Sequence, residues 1–519
     1  MSGTYTIDSS KVSSSTNFKT FTDVKDSLNK NGVKGPVVIN VADGVYKGNF
    51  TIDPVKGQSS KNNITFQSAS NDSSKAVVLE DSVNVVVSFT GYYIISKLTF
   101  QLSPSISRSY FATHTMYVLA IGENATISHC QVIGLKNNSA ANVWLVVGSH
   151  GNNMTVDGNL LKYGPFIFAY PDGVSGYDSN NVITNNIIDS IYDNSILINI
   201  GYEIGLNFSN NIETNFLANL NLSNSSYSNN FFDCFNSKIT KNKFLSGLDF
   251  SMDPSHPQTS NLIANNFISA SGGISIGNIN NEKAQCITNV MFNNVSIHGK
   301  SDSNSVCLNV WKPAEYNMIS NNLANFTGGY ALQVDSIYDS INYNNYYSNG
   351  NNLVSYKNAN LSFKTLSAWQ TFSGKDSNSI SANPIYINDS TNLHATNDSL
   401  SGKGIAILGI TTDIDGNTRP NPPTIGANEI KVLTGIETIQ NSNNNISIYP
   451  NPATSSLSIS STNPIQSISI FDATGREVYQ STNLKTQNQT IPVNNLPSGI
   501  YMIKLGMDNG SYIAKFMKE

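Results

Sequence analysis

Asn181-Val182-Ile183-Thr184-Asn185-Asn186 alternates in polarity and then breaks on a pair of asparagines. Alternation with β-branched residues predicts a short strand, and the Asn pair predicts a tight bend after it. The same phrase, an apolar residue, two others and then Asn, recurs along the middle of the chain. It runs from Val156 to Asn159, Ile183 to Asn186, Ile212 to Asn215, Ile239 to Asn242, Ile263 to Asn266, Ile319 to Asn322 and Ile341 to Asn344. Ile127 to Cys130 fits the frame with Cys in the Asn place, and Ile287 to Val290 with Val there.

The spacing averages about 27 residues, room for three short strands and three turns. One such coil cannot bury its own apolar face, whereas stacked coils bury one another's. Helical repeats conflict with an Asn pair in most coils. Leucine-rich repeats lack their LxxLxL strand here. The fold class read from this pattern is all-β, a parallel β-helix solenoid, with Asn159, Asn186, Asn215, Asn242, Asn266, Asn322 and Asn344 stacked as a structural ladder. Asn at a fixed corner suits a bend because its side chain bonds to backbone and it tolerates left-handed dihedrals.

Composition agrees. The chain has 519 residues, of which 75 are Asn, while charged residues make up only 13%. With 24 Tyr and 23 Phe it does not read as disordered. A net charge of -5 argues against a nucleic-acid partner. No window is apolar enough for a transmembrane segment. Met1 to Tyr5 shows no signal peptide, which for the exported protein inferred below predicts a processed or truncated start. Cys130, Cys234, Cys286 and Cys307 form no zinc spacing and are expected as buried thiols, although a bridge between Cys286 and Cys307 is compatible with their spacing of about one repeat.

The Asn-marked rungs, with Asn317-Met318-Ile319-Ser320-Asn321-Asn322 among them, resemble those of right-handed parallel β-helix proteins of the pectate-lyase-like superfamily. Gly35 to Tyr46 is similar to the first rung of pectin-acting members. This resemblance spans 35–430. Ahead of it, 1–34 is expected as an N-terminal cap: Thr20 to Lys30 predicts a helix with Phe21, Val24 and Leu28 on one face, stopped by Asn31-Gly32. Leu361 to Trp369 is expected as a helical or looped excursion. Asp413 to Glu429 resembles a closing segment of Bacteroidota β-helix proteins.

Residues 431–445 read as a linker, and 446–519 as short alternating strands of a small β-sandwich. Tyr449-Pro450-Asn451-Pro452, Asp472-Ala473-Thr474-Gly475-Arg476, Leu496-Pro497-Ser498-Gly499-Ile500-Tyr501 and Lys515-Phe516-Met517-Lys518 resemble, in order, the type A sorting domain of the type IX secretion system. That resemblance implies the secretion machinery as a partner and export to the cell surface or medium. It implies nothing about chemistry.

The ridged outer faces of a β-helix suit a linear polymer. The leading expectation is therefore a monomer that binds a polysaccharide or surface glycan, with Trp144, Tyr170, Tyr202, Trp311 and Tyr330 as stacking platforms. The alternatives are a polysaccharide lyase or glycoside hydrolase, and a structural or adhesive stalk. Asp172, Asp193, Glu203, Asp249, Asp253 and His256 are the candidate catalytic groups, because glycosidases need paired carboxylates and lyases a base. The signatures of pectin-type esterases and of polygalacturonases are not found. No cofactor is required, with calcium the one metal considered: Asp413, Asp415 and Asn417 alternate as in a calcium loop, without the full twelve-residue ligand set.

Overall fold

The computed structural model describes residues 1–47, 51–80, 87–104, 116–135, 143–148, 151–164, 166–168, 176–191, 196–216, 228–252, 259–270, 272–278, 286–311, 315–337, 340–430, 446–507 and 510–519. They form two units, Met1–Ile430 and Lys431–Glu519. The first is a right-handed parallel β-helix. Each coil gives one strand to each of three long parallel sheets. Sheet one runs from Asn17–Phe18 and Gly3–Ile7 to Ser340–Asn342, sheet two from Gly44–Lys47 to Asn345–Ser348, and sheet three from Thr51–Ile52 to Val354–Tyr356.

Register stacks like on like. In sheet one, Ile183, Phe208, Ile239, Ile263, Val290, Met318 and Ile341 stand one above another, all 2% exposed or less. In sheet three the inward column runs Ile200, Phe231, Phe250, Ile276, Val310, Val334. Each such side chain contributes about 1.5–3 kcal/mol by leaving water, but only because the next coil covers it.

The ladder stands at the corner between sheets one and two. Each ladder carbonyl accepts from the backbone N–H one coil back. Asn186 Oδ1 takes Asn159 N at 3.0 Å, Asn242 Oδ1 takes Asn211 N at 2.9 Å, and Asn266 Oδ1 takes Asn242 N at 2.9 Å. The amides also bond to one another, Asn159 to Asn186 at 3.0 Å and Asn266 to Asn293 at 2.9 Å. Cys130 holds the first place, its N–H donating to Asn159 Oδ1 at 2.9 Å.

Two ladder expectations are corrected. After Asn186 the place belongs to Asn211, because the inward residue of that coil is Phe208 and not Ile212; the Asn215 side chain lies outside the described residues. Near the end it belongs to Asn321, because Met318 points inward, and Asn322 sits on the outer side of sheet two. The place assigned to Val290 is held by Asn293, since Val290 is itself the inward residue.

The left-handed residue is also not the ladder Asn but the one before it. His129, Asn185, Asn210, Lys241, Asn265, Phe292, Ser320 and Tyr343 have φ between 53° and 60°. An aromatic residue in that region costs on the order of 1–2 kcal/mol, which the ladder bonds beside it offset. This explains the Asn pairs: the first makes the bend and the second joins the ladder.

Both ends of the coil stack are closed. Helix α1, Phe21–Asn31, starts on a capping box between Thr20 and Asp23 and buries Phe21, Val24 and Leu28. Helix α2, Leu366–Ser373, covers the far end with Trp369, fully buried. The ladder finishes on Asp376, which accepts from Trp369 Nε1 at 2.8 Å, Tyr346 OH at 3.0 Å and Asn344 Nδ2 at 3.3 Å. Burial pushes the Asp376 carboxyl above its usual range. Cys130, Cys234 and Cys307 are buried thiols outside any disulfide, so the Cys286–Cys307 bridge does not form.

The chain then doubles back as a strap over the last coils. Asn294 Nδ2 donates to Leu393 O at 2.7 Å and Asn428 Oδ1 at 2.9 Å on the outer side of sheet two. Arg419 pairs with Glu429, lies 3.9 Å over the Phe292 ring and donates to Asn265 Oδ1 at 2.7 Å. Ile407 and Ile410 pack on Leu262, Ala264, Met291 and Ile319 of sheet one. The strap therefore covers the outer faces of sheets one and two there, and its described contacts lie on those two sheets.

The second unit is one antiparallel sheet folded over its own core of Leu457, Ile459, Ile468, Ile470, Ile491, Ile503 and Phe516. Its long strand Ser456–Phe471 pairs by its first half with Ile446–Tyr449 and Thr486–Pro492, and by its second with Glu477–Ser481 and Gly499–Met507.

Candidate functional site: the outer face of sheet three

Alternation along each strand of sheet three sends every second residue outward. Register then sets Asn199, Asn230, Asp249, Ser275, Asn309, Gln333 and Ser355 in one row across seven coils. Neighbours in such a row are about 4.8 Å apart. Gln333 Nε2 donates to Asn309 Oδ1 at 2.7 Å, so part of the row is pre-ordered.

Two positions along each strand lies a second row: Gly201, Phe232, Ser251, Gly277 and Trp311. Its glycines make flat seats. A Cβ on Gly201 would come 2.2 Å from the Phe232 ring, and one on Gly277 2.1 Å from the Trp311 indole. Each ring therefore lies down over the glycine of the preceding coil. Trp311 is held there by its Nε1, which donates to Ser275 Oγ at 2.9 Å. Phe232 is braced edge-on by Tyr202, with ring centres 5.2 Å apart.

Asp249 sits in the middle of the polar row, between inward Leu248 and Phe250. Its Oδ1 is shielded from water and has no hydrogen-bond partner among the described residues. Desolvation lifts its carboxyl above the ordinary aspartate range. An acceptor held this way is costly unless something donates to it.

Other expected site residues fall elsewhere. Glu203 is fully buried and accepts from Asn181 Nδ2 at 2.9 Å, with burial pushing its carboxyl up to about 8. It is a core group out of reach of a polymer. Tyr202 adopts φ 56° and serves as the brace for Phe232. Tyr330 bonds through its hydroxyl to Ser362 Oγ at 3.0 Å, at the closing end of the sheet. Trp144 lies in the strand Val143–Gly148, and its side chain falls outside the described residues, as do Tyr170, Asp172, Asp193, Asp253 and His256.

The residues considered for calcium do not fit a metal. Asp413 Oδ1 accepts from Asp415 N at 3.0 Å and Asn417 N at 2.8 Å, and its Oδ2 from Glu429 N at 2.9 Å and Asn417 Nδ2 at 3.1 Å. Asp415 turns away to His394 Nε2 at 2.7 Å. All the acceptor capacity of Asp413 is used to close a turn of the strap.

The sequence reading missed Phe232 and the polar row. Their signal is the recurrence of amide or hydroxyl residues at outward positions once register is known. It also missed two buried acids, Glu80 and Glu213, whose carboxyls burial raises to about 9 and about 7. A hollow of about 480 Å³ between the strap and sheet one is lined by Leu262, Met291, Ile407 and Ile410 with Lys238 and Asn261. It is far less regular than sheet three.

Residues 447–519 match the family model of the secretion system C-terminal sorting domain. The chain carries a type IX secretion tail. It is therefore exported to the cell surface or the extracellular space, and among the described residues no helix is long and apolar enough to cross a membrane. No curated protein matches the chain. Among solved structures, it is similar to a pectin methylesterase from Aspergillus niger at 15% identity and TM-score 0.26, over 61% of this chain and 85% of that one. A rice weevil pectin methyl esterase gives 10% and 0.22, over 50% and 78%. A mutant PL6 family alginate lyase gives 12% and 0.28, over 76% and 60%. The architecture described above rests on strand register and not on these likenesses.

Proposed function

We propose that this exported β-helix binds a polysaccharide along the outer face of sheet three. The observation that carries the proposal is the pairing of two parallel rows, amides and hydroxyls in one, Phe232 and Trp311 lying flat on glycine seats in the other. Aromatic faces stack on the apolar faces of sugar rings, while amides and carboxyls bond to their hydroxyls. A stalk has no use for rings held flat at the surface. The test is a glycan array scored with the full chain and with Trp311→Ala: binding that survives in the parent and falls in the variant supports the proposal.

Asp249 favours a second reading, a glycoside hydrolase in which its raised carboxyl donates the proton to the leaving oxygen. The partner carboxylate should then lie about 5–9.5 Å away. Asp335, next after inward Val334, is three coils on and two residues along the strand, about 16 Å by strand geometry. That separation favours binding over hydrolysis. New reducing ends released by the parent and abolished in Asp249→Asn would reverse the order of the two readings.

A further inference from the structure

The charge on this face points to the class of polymer. The two rows comprise Asn199, Asn230, Asp249, Ser275, Asn309, Gln333 and Ser355, and Gly201, Phe232, Ser251, Gly277 and Trp311. Their only ionisable member is an acid, and Asp335 stands at the end of the second row. A polyuronate or sulfated glycan carries an anion on almost every ring. Along this face each ring would meet amides, hydroxyls and carboxyls, and its anion would find no cation among the described residues of the two rows. Three lysines elsewhere on the β-helix are committed to other places, while Lys357 is exposed just past the Val354–Tyr356 strand that ends sheet three. Lys162 pairs with Asp189 on sheet two at 3.1 Å, Lys243 lies over Phe267, and Lys241 holds the strap through Thr412.

The same rows match an uncharged polymer in three ways. Amides offer both donor and acceptor, as sugar hydroxyls require. Asp249 adds a carboxyl to the polar row, and its Oδ1 has no hydrogen-bond partner among the described residues. The coil spacing is close to the length of one pyranose unit, so a chain lying along the stack puts one ring per coil. Phe232 and Trp311 are three coils apart, so the two seats take the first and fourth of four successive rings.

We infer that the ligand of sheet three is a linear, uncharged glycan that lies along the coil stack and spans both Phe232 and Trp311, in preference to a polyuronate. This rests on the reading of the site given above, and the experiment separates the two. The full chain is titrated with cello-, xylo- and manno-oligosaccharides of two to eight units, and in parallel with oligogalacturonate and oligoalginate, following tryptophan fluorescence and calorimetry. The expected result is binding by at least one neutral series, with affinity climbing until the oligomer has at least four units and then levelling. Trp311→Ala should weaken it about tenfold, the size expected for losing one stacked ring. Tighter binding of the uronate series, lost in Trp311→Ala, would overturn the uncharged class while keeping the face. Binding of any glycan that ignores Trp311→Ala would overturn the face itself, and no binding by either series would overturn both.

Discussion

Replacing Asn242 by Ala removes one rung from the middle of the ladder. Asn242 Nδ2 donates to Phe208 O at 3.1 Å and to Asn266 Oδ1 at 3.1 Å, and its Oδ1 accepts from Asn211 N at 2.9 Å and Asn211 Nδ2 at 3.2 Å. After the change Asn211 Nδ2 still has Ile183 O, and Asn266 Oδ1 still has Asn242 N. Asn211 N–H loses its partner where water cannot replace it, while Phe208 C=O keeps its place in the sheet-one ladder. One buried orphan costs about 1–3 kcal/mol and the lost amide bonds about 1 more, so the loss should be about 2–4 kcal/mol. Asn322 was read from sequence as a rung and is equally buried, but its Oδ1 accepts only Asn345 Nδ2, which keeps Ala382 O at 2.9 Å. Asn322→Ala should therefore cost about 1 kcal/mol. Urea unfolding of the full chain followed by tryptophan fluorescence measures both, because Trp144, Trp311 and Trp369 all precede residue 430 and the second unit has none. Equal losses, or a larger loss for Asn322, would refute the assignment of the ladder.

Glu203 predicts a pH dependence. Its carboxyl titrates near 8 in the folded chain against 4.5 for a free glutamate, so the folded state keeps a proton that the unfolded state releases. Its contribution is whole below pH 4.5 and is lost as pH rises through about 8, at up to about 1.4 kcal/mol per pH unit. Glu203→Gln should match the parent at pH 5 and exceed it at pH 8 in urea midpoint; a variant weaker at both would contradict this. Asp413→Ala should leave Asp415 N, Asn417 N and Glu429 N without their acceptor, and open the strap to limited proteolysis between 398 and 430. Millimolar calcium should leave the melting midpoint of the parent unchanged, because Asp413 has no free acceptor; a rise of several degrees would show a site there.

The coil architecture was legible because the inward residue, the bend and the ladder recur at nearly fixed spacing, and a stack of such coils has few rivals. Helix α1 was legible for a local reason, Phe21, Val24 and Leu28 at helical spacing with Asn31-Gly32 as the stop. The ladder frame slipped where the inward position holds Phe208 or Met318, because an isoleucine nearby offers the same phrase in a false register. Asn pairs make that slip easy, since the bend and the rung use the same residue type. The functional face was not legible. Asn199, Asn230 and Asn309 look like any of the other asparagines until strand register sets them in one line. Asp249 was picked out for its chemistry. What distinguishes it from Glu203 is direction: one points outward from sheet three, and the other lies in the core against Asn181.

Hydrogen exchange of the full chain, with and without a saturating glycan found by titration, tests the central claim most directly. Protection should appear in Ile196–Ile204, Ser228–Phe235, Gly247–Met252, Ile274–Asn278 and Val306–Trp311, the successive strands of sheet three, and leave the segments of sheets one and two unchanged. Protection centred on 405–410 and the hollow beside it, with sheet three unaltered, would contradict it.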